Sequence, residues 1–184
     1  MKFQDIPKFI HGGNYQVDVQ WTYLESWLDS YSDHGSKGVD LDPDFQRAHV
    51  WDEYKQAAYV EYILRGGQSS YSLHWNSPRG PSSGEVLTIV DGKQRMEAVR
   101  KFMRNDLRIF LRPHHLLGRS KKGYRFEDFE DKLGFDSRFR MHVNNLEARA
   151  DVLTWYLQLN EGGVVHTEEE LHKVRVLLEE EQGQ

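Results

Sequence analysis

The alternation of apolar and polar positions gives the first regular element at residues 15–19, which reads as a short strand. Helical spacing follows at once. Leu24, Trp27, Leu28 and Tyr31 fall on one face, with Thr22 and Glu25 spaced as a capping box. Residues 38–41 form a second short strand. Asp52 is placed to cap a helix running to Leu64, with Ala57, Val60, Ile63 and Leu64 facing inward and Gly66-Gly67 ending it. Residues 71–75 read as a strand, residues 76–84 (NSPRGPSSG) as a flexible loop, and residues 85–90 as a central strand built on Val86, Leu87, Ile89 and Val90. The next helix carries Met96, Val99, Phe102 and Met103 on its apolar side.

Beyond that helix the pattern loosens. Residues 107–111 suggest an edge strand, and residues 112–136 are irregular, anchored by Phe126 and Phe129. Residues 138–143 are a further strand, and residues 146–159 form the most apolar helix. Thr167 and Glu170 make a second capping box before a helix carrying Leu171, Val174 and Leu178. The acidic end of that helix, residues 179–181, opposes the macrodipole and is expected to fray. The sum is an α/β (α+β) fold: a small mixed sheet, several packed helices and a helical C-terminus.

Length and composition bound the class. A chain of 184 residues, 38% hydrophobic and 29% charged, suits one globular domain spanning 1–184. No apolar run approaches a membrane span and no signal-peptide core is present, so the expectation is a cytoplasmic protein without membrane contact. The absence of Cys excludes disulfides, thiolate zinc sites and cysteine nucleophiles. Nine His invite a metal reading, but none pairs at i, i+4 with a helical carboxylate as zinc hydrolases require, so solvated or packed His are expected.

Charge is uneven. Residues 91–125 hold eleven Lys and Arg against three Asp and Glu, a local charge of +8 inside a chain of net −5. A basic block of this kind is either a solvated surface or a polyanion footprint. The overall acidity disfavours sequence-blind duplex binding as the main task, and a small polyanion such as a nucleotide is easier to accommodate.

The block begins at the stretch richest in chemistry, EVLTIVDGKQRMEA over residues 85–98. A strand runs through Asp91-Gly92 into a helix opened by Lys93, Gln94 and Arg95. Free N–H groups and the macrodipole at a helix start favour anions, phosphate among them. Gly92 permits positive φ and close backbone approach. Lys93 adds a point charge and Arg95 a planar fork. Asp91 is a candidate to hold a metal ion or position water. An ordinary strand-to-helix connection has similar residues, so the stretch gains weight only beside a second one, DLDPDFQRAHVW at residues 40–51. There Phe45 and Trp51 flank Gln46 and Arg47.

Together, Pro43-Asp44-Phe45-Gln46-Arg47 and Asp91-Gly92-Lys93-Gln94-Arg95 resemble the PxFQR and DGQQR signatures of the N-terminal domain of GmrSD-type restriction enzymes. That family lies within the ParB-like/sulfiredoxin-like superfamily. WYLQLNEGG at residues 155–163, followed by residues 166–171, looks like the family's ending of Asn-x-Gly-Gly and an acidic helix, so the likeness spans residues 17–178. It implies a ParB/sulfiredoxin-like fold and a nucleotide-binding domain that slowly hydrolyses a nucleoside triphosphate with Mg2+, in DNA defence or a phage-related setting. Its implied site comprises Gly92, Lys93, Gln94, Arg95, Gln46, Arg47 and Asn160 for the nucleotide. Asp91, Arg95 and Arg47 would be catalytic, with Asp91 on Mg2+ or water and Arg47 a second clamp facing Arg95 across the cleft. Gln46 and Gln94 would then orient these arginines or read the ligand.

Two departures stand out. Lys93 replaces the family's usual Gln, and no HNH-type nuclease domain follows in these 184 residues. Three function classes therefore remain open. They are a nucleotide-hydrolysing enzyme, a ParB-like DNA-binding protein or nickase, and a non-catalytic module that binds nucleotide, a partner protein or a second copy of itself.

Overall fold

A computed structural model describes residues 3–10, 13–31, 38–46, 51–78, 85–111, 122–134, 137–160 and 168–183. Its strands are β1 (Tyr15–Gln20), β2 (Val39–Asp40), β3 (Ser72–Asn76), β4 (Leu87–Asp91) and β5 (Arg138–Asn144). They form one mixed sheet in the order β1-β5-β3-β4-β2. β1 and β5 are antiparallel, as are β3 and β4, while β5 with β3 and β2 with β4 run parallel. The helices are α1 (Leu24–Asp29), α2 (Glu53–Leu64), α3 (Lys93–Met103), α4 (Arg149–Asn160) and α5 (Glu168–Gln182). The fold is α/β.

Side-chain alternation divides the sheet between two cores. Leu73 and Trp75 of β3, Leu87 and Ile89 of β4, and Phe139 and Met141 of β5 are buried with Leu24 and Leu28 of α1, Val60 and Ile63 of α2, and Val99 and Phe102 of α3. The second cluster joins Val90 to Val152, Leu153, Trp155 and Tyr156 of α4, Val174 of α5, and Phe45. Phe45 meets Tyr156 edge-on at 5.3 Å, so the PDFQ segment is pinned to α4 by an aromatic contact.

Helix ends follow local chemistry where it is strong. The Asp52 carboxylate accepts the Lys55 N–H at 2.7 Å and starts α2. At the other end Gly66 adopts φ +84°, and the Gly67 N–H reaches the Tyr62 carbonyl at 2.9 Å.

Three local expectations are overturned. Thr22 forms no capping box: the chain enters α1 through a 3-10 turn, Trp21–Tyr23, with no side-chain cap. Glu25 instead accepts from Arg100 Nε at 2.7 Å and Arg104 Nη2 at 3.1 Å, because two guanidinium groups, on α3 and at the residue that ends it, outweigh a single local N–H. Residues 107–111 join the sheet nowhere; Ile109 makes one isolated bridge to Tyr124, and the Phe110 N–H goes to Glu61 Oε1 at 2.7 Å. The acidic end of α5 stays helical through Gln182, where the Arg149 guanidinium pairs with Glu181 at 3.1 Å and offsets its unfavourable charge at the helix end. Phe126 and Phe129 both pack on Phe102, as the irregular stretch requires. Thr167, residues 79–84 and residues 112–121 lie outside the described residues. Among the described residues, no helix is long and apolar enough to cross a membrane.

Candidate functional site

The turn between β4 and α3 is made by Gly92, at φ +102° and ψ 6°. A Cβ there would overlap the buried Leu73 side chain and crowd the Arg95 guanidinium, so the close approach as well as the dihedral calls for glycine. No side chain among the described residues caps α3. Met96 makes the first intrahelical bond, to the Gly92 carbonyl at 3.0 Å, leaving the earlier N–H groups without intrahelical acceptors. Residues of this helix start line a pocket of about 440 Å³ at the end of β4.

Every described residue of the expected site lines this pocket: Asp91, Gly92, Lys93, Gln94, Arg95, Gln46 and Asn160. Asn160 arrives as the last residue of α4, with its amide donating to the Tyr156 carbonyl at 2.6 Å. Arg47 lies outside the described residues; its neighbour Gln46 faces the pocket.

The two glutamines, expected to orient the arginines or read the ligand, each bond to backbone. Gln46 Nε2 donates to the Ile89 carbonyl at 2.8 Å, and Gln94 Oε1 accepts the Trp51 N–H at 3.1 Å. Gln56 Nε2 donates to the Trp51 carbonyl at 2.6 Å. Side-chain amides can satisfy backbone donors and acceptors from outside a ladder, and here they stitch both ends of the FQR segment to β4, α2 and α3.

Both cations among the described lining residues are matched by acids. Arg95 Nη2 is paired with Asp91 Oδ2 one helical turn back, and Lys93 Nζ with the exposed Asp42. Asp91 also faces His74 Nδ1, 3.5 Å away. Burial raises its pKa, but the Arg95 charge and the His74 contact outweigh this and bring it down to about 2. Asp91 is therefore ionised across the physiological range and engaged with Arg95.

Sequence reading missed the aromatic part of the lining, formed by Trp51, Tyr59 and Tyr156. Trp51 and Tyr59 meet edge-on at 5.6 Å, and the Tyr59 hydroxyl donates to the Ser70 carbonyl at 2.9 Å. Burial raises the Tyr59 pKa, keeping that hydroxyl protonated as a donor. The half-buried ring of Trp51 lies in this lining. His74 and His142 were missed as well, since nothing local marks which strands they share.

The donors present do not fit a resident Mg2+. Among the described residues no group of three or more His, Asp or Glu gathers as a metal site. Asp91 is the one carboxylate among the described lining residues, and its Oδ2 is committed to Arg95. A protein-held Mg2+ needs its carboxylate oxygens free. The basic block is likewise offset in part, since Lys93, Arg95, Arg100 and Arg104 each have an acidic partner.

Comparisons with protein-family models, curated proteins and solved structures each found no match.

Proposed function

We propose that this chain is a cytoplasmic nucleotide-binding domain that takes the phosphates of a nucleoside triphosphate at the start of α3. The setting proposed is that of the restriction-enzyme family its motifs resemble, in defence against foreign or modified DNA. One observation carries the reading: residues from positions 46, 91–95 and 160 line one pocket, at an uncapped helix start opened by a positive-φ glycine. Its size suits a nucleotide, and its lining combines the cations Lys93 and Arg95 with the aromatic rings of Trp51, Tyr59 and Tyr156. The phosphates would displace Asp42 from Lys93 and draw Arg95 from its pairing with Asp91.

The charges favour binding over turnover. A carboxylate with a pKa of about 2 is a weak proton acceptor at neutral pH, so Asp91 is poorly matched to activating water and hydrolysis is expected to be slow. Calorimetry with a panel of nucleoside triphosphates, with and without Mg2+, tests the reading alongside single-turnover assays. Saturable binding that Arg95→Ala weakens supports it. Failure of every nucleotide to bind at millimolar concentration ends it. Retention of duplex DNA by the same protein would then favour the ParB-like DNA-binding alternative.

A further inference from the structure

Beside the phosphate pocket three neighbouring strands place ionisable groups at one level of the sheet. His74 on β3 is registered with Asp91 on β4 and with His142 on β5. The two imidazoles stack with centroids 4.8 Å apart and planes at 23°. His74 Nδ1 is buried, has no hydrogen-bond partner, and lies 3.5 Å from Asp91 Oδ2. Arg95 contacts that same oxygen.

Stacked imidazoles cannot both be charged cheaply, so the pair takes up one proton before the other. The surroundings decide which ring receives it. His142 is accompanied by Arg140 on its own strand and by Ser72 Oγ at 3.3 Å; burial, His74 and Arg140 all depress its proton affinity, with Asp18 of β1 opposing them. His74 faces the Asp91 carboxylate, with Arg95 of α3 beyond it. From α4 it meets the uncharged edge of Trp155 at 5.8 Å. Of the two rings, His74 is the one set directly against a carboxylate.

Once charged, His74 has reason to move its neighbour. A charge-assisted N–H···O bond closes to about 2.7–2.9 Å. Shortening the present 3.5 Å contact draws Asp91 Oδ2 toward β3 and away from Arg95. We infer that His74 is a positioning residue: as imidazolium it loosens Asp91 from Arg95, freeing the guanidinium toward the pocket, so anion binding at α3 strengthens as pH falls. The part about anions rests on the phosphate reading above; the coupling of His74 to Arg95 does not.

NMR of the full chain, with 15N-labelled His and Arg, tests the coupling without any ligand. Between about pH 5 and 8 the Arg95 Nε signal should follow the His74 ring signal with the same midpoint. In Asp91→Asn the Arg95 signal should cease to follow. An Arg95 signal indifferent to His74 overturns the proposal, because a ring that merely packs has no reason to move Arg95.

Calorimetry with inorganic tripolyphosphate supplies the second measurement. Between pH 8 and pH 6 the affinity of wild type relative to His74→Gln should rise by about fivefold, a ratio that cancels protonation of the ligand itself. A constant ratio with measurable binding refutes the link to anions. If neither protein binds tripolyphosphate while the wild-type His74 and Arg95 titrations coincide, the coupling stands and the nucleotide reading falls. Should His74→Gln fail to fold, the wild-type and Asp91→Asn titrations decide.

Discussion

Gly92→Ala is the sharpest test of how the turn is built. At φ +102° an alanine is held outside its comfortable backbone region, at a cost of about 1–3 kcal/mol. The new methyl would also lie under 3.0 Å from Leu73 Cδ2. Leu73 is fully buried between β4 and β5, so it cannot swing into solvent, and overpacking of this kind costs about 1–3 kcal/mol more. Together the two predict a loss of about 2–6 kcal/mol, a large share of the roughly 5–15 kcal/mol typical of a domain. Urea unfolding would read it as a lower midpoint at unchanged slope. Leu73→Ala removes the clashing carbon, so the double variant should show about 1–3 kcal/mol of favourable coupling while the dihedral penalty remains. A folded Gly92→Ala protein destabilised by less than about 1 kcal/mol, or a pair without coupling, would refute both the glycine argument and the close packing of α3 on β3.

Other outcomes are equally measurable. Asp52→Ala removes the α2 cap and should cost about 1 kcal/mol in urea unfolding. Asp91 has its carboxyl pKa depressed from 3.8 to about 2, against the raising effect of burial, by Arg95 and His74. Its contribution is thus present above about pH 4 and lost as pH falls toward 2, about 2 kcal/mol in all; an acid titration followed by circular dichroism should show this limb flattened in Asp91→Asn. Arg95→Ala should weaken nucleotide binding by about 1.5–3 kcal/mol in calorimetry, with the fold retained. Lys93→Gln should bind triphosphate more weakly yet keep whatever single-turnover rate the wild type has, because a fixed ammonium raises the rate only if it gains strength in the transition state.

Sequence alone determined the elements whose signal is local. Period-2 alternation located β1, β3 and β5, and 3.6-residue spacing located the buried faces of α2 and α3, because backbone geometry imposes those periods within a few residues. Asp52 as a cap and Gly92 at the turn were legible for the same reason. So was the cluster at residues 91–95, whose members are brought together by one turn of chain. Tertiary structure decided what needed a distant partner. Glu25 chose Arg100 and Arg104 over the cap beside it, Gln46 found the Ile89 carbonyl, and Asn160 reached the pocket through the docking of α4. The Asp91–His74–His142 row depends on β3 lying between β4 and β5 in one particular register. Register is selected by the packing of the whole sheet against its helices, and a one-residue slip would turn His74 to the opposite face with no change in local pattern.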